Sequence, residues 1–262
     1  MASTAATRAT LLRSLHVPHK PVVFANVYDP TTAKFVASNP SSTAIATASY
    51  AIAAVHGVDD DALDLETNLA AIRRIAPVAI QYDKPLTVDL QDGYGERLEE
   101  AIQAVIALGV SGCNLEDRDK ATGKLYSREE AVSRVCRALK AAGKAGVPDF
   151  ALNARTDAVF LNGDVDEAVA RGKAYLEAGA TTAFVWGGPA RGLRTEEVKR
   201  LAEAFGGRLN VIAKPDGLSI QELADIGVAR ISVGPRLWKA ANAAFEKEAA
   251  KLLSEYEATR TK

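Results

Sequence analysis

Two cysteines, three histidines and one methionine are all that 262 residues hold of the softer metal-ligating side chains. Cys113 and Cys136 allow at most one bridge. That is no disulfide framework, and reduced thiols in a cytoplasmic protein are the simpler expectation. His16, His19 and His56 all fall in the first quarter of the chain, with no HExxH pair, so the zinc-protease pattern is excluded. The G-x-S-x-G nucleophile elbow is missing too, and serine-hydrolase chemistry is not expected. Neither charge sign is in excess: 32 Lys and Arg face 33 Asp and Glu. Without a basic surplus, nucleic acid and anionic membrane are not expected partners. No apolar run reaches the length of a bilayer span. Residues 1–10 are small and polar with no apolar h-region, so a secretory signal is not expected. One arginine among serines and threonines there is a faint organellar-transit pattern, which a frayed terminus explains better.

What is there is globular: 48% hydrophobic and 25% charged residues argue against disorder. Short β-branched runs alternate with longer amphipathic ones. The runs predict strands over 21–29, 43–49, 86–90, 112–115, 150–155, 182–186, 209–213 and 229–233. Helices are predicted between them, over 31–38 with Pro30 in the first turn, 65–75, and 98–108 stopped by Gly109. Ser127 with Glu130 makes a capping box for the next, and further helices cover 166–178, 195–204 and 219–226. A long one over 235–256 ends the series. Eight βα units fit an α/β fold of the (β/α)8 TIM type. No linker-like stretch divides them, so 1–262 reads as one domain: an N-terminal segment over 1–20, the barrel, and an extended C-terminal helix. An open doubly wound sheet would carry a glycine-rich phosphate loop after its first strand. That turn is Tyr28-Asp29-Pro30-Thr31 instead.

In such a barrel the site forms at the carboxyl ends of the strands. The polar residues there are Asp29, Ser49, Asp89, Gln91, Asp92, Glu116, Asp117, Asn153, Arg155, Asp157 and Lys214. Asp89 and Glu116 end neighbouring strands with no Cys or His beside them. That pair suits a hard cation such as Mg²⁺, or else two helix caps or ion pairs with an arginine. Arg155 suits a bidentate grip on a substrate carboxylate or phosphonate, or an internal salt bridge with Asp157 or Glu116. Cys113 reads as a core residue rather than a nucleophile. His56 reads as a helix-surface residue, and Trp186 as a pocket wall or plain packing. The charged loop from Glu116 to Ser127 is either a lid bringing Arg118, Lys120 or Lys124 over an anion, or a solvated loop.

Taken in order, these segments resemble the isocitrate lyase/phosphoenolpyruvate mutase superfamily. The likeness runs from about Val22 to Trp238. It is carried by Val23–Asp29 with Pro30-Thr31-Thr32-Ala33, Thr47-Ala48-Ser49, Gly57-Val58-Asp59-Asp60, Asn114-Leu115-Glu116-Asp117, Ala154-Arg155-Thr156-Asp157-Ala158 and Ala174–Ala180. Val88-Asp89-Leu90-Gln91-Asp92-Gly93-Tyr94-Gly95 is the most diagnostic. The resemblance implies a homodimer or homotetramer that exchanges the helix over 235–262. It implies small oxo-acid or phosphonate substrates, and a C–C or P–C bond made, broken or moved beside an enolate. It implies Mg²⁺, or Mn²⁺ in its place, on Asp89 and Glu116. Catalytic roles fall to Asp60, Lys120 and Arg155, and substrate binding to Ser49, Tyr50, Gln91 and Arg155.

The sequence departs from the superfamily pattern in four places. Gln91 stands where D-x-D-x-G-Y-G has its second aspartate, and no Lys-Lys-Cys-Gly-His loop follows Glu116. The Asn-Ser of the mutase gating loop is absent, and Lys214-Pro215 replaces the asparagine ending strand seven. The phosphonomutase-like branch is therefore favoured over the cysteine-dependent lyases. The rivals are a C–C lyase or oxo-acid hydrolase using Lys120, Lys124 or Tyr126 as its acid, and a barrel that has lost metal chemistry at Gln91.

Overall fold

A computed structural model describes residues 4–260. Its eight strands are β1 (Val22–Phe24), β2 (Ile45–Ala46), β3 (Leu86–Asp89), β4 (Gly112–Glu116), β5 (Ala151–Thr156), β6 (Thr182–Val185), β7 (Leu209–Ile212) and β8 (Arg230–Ser232). All pair in parallel, in the order β1-β8-β7-β6-β5-β4-β3-β2. A single parallel bridge, Val27 to Thr47, closes the ring between β1 and β2. This is the expected (β/α)8 barrel.

The helices among the described residues are α1 (Ala5–Ser14), α2 (Pro30–Ser38), α3 (Ser49–Val55), α4 (Leu65–Gln81), α5 (Leu98–Ala107), α6 (Arg128–Lys144), α7 (Ala158–Asn162), α8 (Val165–Glu177), α9 (Thr195–Ala204), α10 (Ile220–Ile226) and α11 (Arg236–Arg260). None is long and apolar enough to cross a membrane. The outward faces of the strands (Val88, Cys113, Leu115, Leu152) pack on Ile72, Ile102, Val105 and Val135 of the surrounding helices. Both cysteines are free, Cys113 buried and Cys136 exposed on α6.

Three expectations need correcting. The segment over 1–10 is not frayed throughout: α1 is capped by Thr4, whose hydroxyl accepts the Thr7 N–H at 3.1 Å. Its Leu12 is fully buried with Val22, Phe24, Ala44 and Ala151 at the amino-terminal mouth of the barrel. The first strand is shorter than 21–29 because the Asn26 side chain replaces the ladder. Its Nδ2 donates to the Thr47 carbonyl at 2.8 Å, and its Oδ1 accepts the Val233 and Gly234 N–H groups at 3.0 Å. The second strand stops at Ala46 because α3 begins at Ser49.

Polar side chains occupy the barrel interior where branched apolar layers are usual. Asn153 Nδ2 donates to Asn114 Oδ1 at 2.8 Å, and Thr182 Oγ1 donates to Asn153 Oδ1 at 2.6 Å. Arg230, stacked 4.5 Å from the Phe24 ring, donates to the same Asn114 oxygen at 3.1 Å. Strand residues two apart share a face. Asn114 and Asn153 therefore sit directly beneath Glu116 and Arg155, and this tied layer fixes where the next one points.

Candidate active site

Glu116 and Arg155 are register partners at the ends of β4 and β5. Arg155 Nη1 donates to Glu116 Oε1 at 2.6 Å. Its Nε and Nη2 clasp both oxygens of Asp157 at 2.7 and 2.9 Å. The guanidinium also lies 4.2 Å from the Trp186 ring, which in turn packs 4.4 Å from Phe160. Of the two readings open for Arg155, the internal ion pair is present with both carboxylates.

Asp89, ending β3, accepts the N–H groups of Ser49 at 3.3 Å and Gln91 at 3.4 Å. Its carbonyl takes Asn68 Nδ2 at 2.9 Å, and the same amide nitrogen donates to Tyr94 OH at 2.7 Å. Asp60 enters from a short 3-10 turn, Asp60–Ala62. Burial first, then the neighbouring Asp89, push its carboxyl above the usual range. Burial raises Glu116 well above that range, against the pull of Arg155. Asp157, Asp89 and Asp60 add to the rise. Four carboxylates thus press on one another around a single guanidinium.

Gln91 ties this centre to the loop after β4. It is 3% exposed and held at φ +52°, where glycine is the usual residue. Its Nε2 donates to Asp60 Oδ1 at 3.0 Å and to the Asp60 carbonyl at 2.7 Å. Its Oε1 accepts from Lys120 Nζ at 2.7 Å, and Lys120 also donates to the Leu63 carbonyl at 2.7 Å. Arg118 is paired with Asp61 at 3.0 and 3.2 Å. A bridge between Arg118 and Leu125 makes the loop a hairpin, and Tyr126 OH donates to Asp92 at 3.3 Å. The loop is fastened over the centre by specific contacts, not solvated at large.

The structure brings Asp60, Asp89, Gln91, Glu116, Lys120 and Arg155 together, with Ser49 at the edge. Tyr50 stands further out, its ring 5.9 Å from Trp238. Other candidates are structural. Asp29 caps α2 by accepting the Thr32 N–H at 2.7 Å. Asp117 faces the helix layer, against Arg171 at 3.1 Å and Tyr175 OH at 2.7 Å. His56 ends α3, its Nδ1 on the Ile52 carbonyl. Burial raises the Cys113 thiol, as befits an inert core residue. Asn68 went unnoticed in the sequence. Its signal was a polar residue on the apolar stripe of α4, between Leu65 and Ile72.

The donor set is all oxygen, and its mutual repulsion calls for a cation. No three Asp, Glu, His or Cys side chains among the described residues form a ready metal cage. A hard ion bound through one or two carboxylates and otherwise hydrated fits such a set, as Mg²⁺ does. Asp89 and Glu116 are the two carboxylates that the resemblance implies for such an ion.

Fold and site define the class: a (β/α)8 barrel with an acidic centre at the carboxyl ends of β3 to β5. The family model for phosphoenolpyruvate phosphomutase matches residues 12–253, and the chain belongs to that family. It is 32% identical to 2,3-dimethylmalate lyase of Eubacterium barkeri, over 76% of this chain and 68% of that protein. It is 34% identical to 2-methylisocitrate lyase of Escherichia coli, over 46% of this chain and 42% of that one. Among solved structures, a candidate phosphonomutase from Burkholderia cenocepacia J2315 superposes with a TM-score of 0.85. It shares 35% identity, with 94% of this chain and 99% of that one covered.

Proposed function

We propose that this protein is an enzyme that breaks or rearranges a C–C or P–C bond of a 2-oxo or 2-hydroxy carboxylate, through an enolate. One observation carries the reading. Asp60, Asp89, Glu116 and Asp157 crowd one guanidinium at the catalytic end of a barrel whose relatives are lyases and mutases. Mg²⁺, or Mn²⁺, would be held by Asp89 and Glu116, and when bound would stabilise negative charge developing on a substrate oxygen.

The chain's own groups supply the rest. Asp60, whose proton affinity burial and the neighbouring Asp89 raise, is suited to take or return a proton at its carboxylate. Lys120, held toward the centre by Gln91, presents an ammonium to anionic substrate. Arg155 stays ionised between Glu116 and Asp157 and fixes both. The hairpin over 117–126 holds Lys120 beside the centre through Gln91 and the Leu63 carbonyl. Neither cysteine lies in that loop, so the acid that returns a proton to a cleaved fragment is Lys120 or Asp60. The exposed Phe245, Leu252, Leu253 and Tyr256 on α11 support the homo-oligomer expected from the resemblance.

The test is calorimetry with Mg²⁺ and oxalate, an enolate mimic. The expected result is oxalate binding that requires Mg²⁺. Binding of neither would return the choice to a barrel without this chemistry.

A further inference from the structure

A second chamber adjoins the acidic centre, and its chemistry is the reverse. It is a cavity of about 410 Å³ among the carboxyl ends of β6, β7 and β8 and the first turn of α11. Trp186, Ile212 and Val233 give it apolar walls. Lys214, Arg236 and Lys239 are its charged residues, and no Asp or Glu lines it. Lys214 Nζ donates to the Ala190 carbonyl at 2.9 Å, and Lys239 lies 5.3 Å from the Tyr50 ring.

Two walls are shared with the centre. Trp186 carries the Arg155 guanidinium on its ring, and Arg155 holds Glu116. Lys239 reaches Tyr50, the residue after Ser49, whose N–H is on Asp89. The lip between β6 and α9 is closely built. A Cβ on Gly188 would meet the Phe160 ring at 2.5 Å, and one on Gly192 would meet the Lys214 stem at 2.8 Å. Phe160 in turn seats Trp186.

We infer that the substrate is longer than a minimal oxo-acid. Its oxo- or hydroxy-acid head sits at the acidic centre, and an apolar arm of about phenyl size fills this chamber, carrying a second anionic group to Lys214, Arg236 and Lys239. The inference rests on the proposed function and specifies its substrate class. Size supports it: a dry cavity of about 150 Å³ already takes a benzene ring, and small-molecule pockets begin at about 300 Å³. Charge supports it as well, because three cations with no facing carboxylate select against a cationic or neutral arm.

The probe is 4-phenylbutyrate, titrated by calorimetry beside 4-phenylbutanol and 4-phenylbutylamine, with oxalate and Mg²⁺ titrated separately. The phenylbutyrate is expected to saturate one site per chain, with and without oxalate. The alcohol should bind at least tenfold more weakly and the amine not at all. Lys214→Gln with Lys239→Gln, two side chains outside the core, should weaken phenylbutyrate at least tenfold and leave metal-dependent oxalate binding in place. Oxalate binding without phenylbutyrate binding overturns the arm alone and spares the proposed function. Phenylbutyrate binding without oxalate binding overturns both, because the chamber then serves no enolate chemistry. Equal binding of the amine overturns the inference. So does phenylbutyrate that splits an oligomer in sedimentation, which would make the chamber a contact between copies of this chain.

Discussion

Lys120 donates to Gln91 at 2.7 Å, and Gln91 passes a donor of its own to Asp60 at 3.0 Å. A side-chain amide of this length accepts from an ammonium on one side and donates to a carboxylate on the other, which a carboxylate cannot do. An aspartate here would neutralise Lys120 and repel Asp60. The residue that departs from the superfamily pattern is thus the clasp between the turn that carries Asp60 and the loop that carries Lys120. Its backbone, at φ +52°, is the kind of strain that persists where surroundings over-determine it.

Gln91→Asn separates that bridge from the backbone strain. Asparagine tolerates the left-handed region but is one methylene too short to span both partners. The lost charge-assisted bonds cost the loop about 1.5–3 kcal/mol. Trypsin should then cut after Lys120 or Lys124 at least about fivefold faster than in the wild type. An unchanged cleavage rate would show that Gln91 does not fasten the loop.

Asp89→Asn removes one charge from the carboxylate cluster without removing the acceptor for the Ser49 N–H. Mg²⁺ affinity should fall by more than about 100-fold. Glu116 and Asp60 each lose a repelling neighbour. Arg155 and Arg230 each lose an attracting one, so the clear readout is the metal: Mg²⁺ in excess should raise the urea midpoint of the wild type and leave that of the variant unchanged. Normal Mg²⁺ binding by this variant would move the metal site elsewhere.

The barrel was legible because alternating runs and glycine stops are local signals repeated eight times. The carboxylates were legible because strand ends are where this fold places chemistry. What escaped was set by tertiary contacts. α1 is rich in Ala and Thr, and only burial of Leu12 under the barrel makes it part of the core. α3 is absent from the predicted helices: the strand expected over 43–49 ends where the Ser49 N–H turns to Asp89 and α3 begins. The ion pair of Arg155 with Glu116 or Asp157 is one of the two readings that the sequence leaves open, and the register pairing of β4 with β5 decides for it by setting Glu116 beside the guanidinium.

His16 gives the fold an acid weakness remote from the site. Its Nδ1 donates to the Leu12 carbonyl at 2.8 Å, so Nε2 is the acceptor facing Arg230 at 3.3 Å. Burial, with Arg230 beside it, lowers the ring from 6.5 to about 3. The unfolded chain protonates this ring first, so between about pH 6.5 and 3 unfolding takes up a proton and stability falls as pH falls. The loss from pH 7 to pH 4 is roughly 3 kcal/mol. His16→Gln keeps a donor and an acceptor but cannot titrate. Its urea midpoint should drop less over the same interval, and a parallel drop in both proteins would exclude His16 as the cause.

Gly172 lies inside α8, where alanine would ordinarily add about 1 kcal/mol of helix propensity. A Cβ there would stand 2.2 and 2.6 Å from ring atoms of Phe205, a residue 3% exposed just after α9. Overpacking of this kind costs about 1–3 kcal/mol. Two-ångström contact with a buried ring belongs at the upper end, so crowding exceeds propensity and Gly172→Ala should destabilise by about 2 kcal/mol. Phe205→Leu alone should destabilise too, by leaving a gap against the glycine. Combined, the leucine vacates the space that the new methyl needs, and the double variant should be more stable than the sum of its parts by at least about 1 kcal/mol. Strict additivity in urea unfolding would mean that the two residues do not meet, and that α8 and α9 are spaced by some other contact.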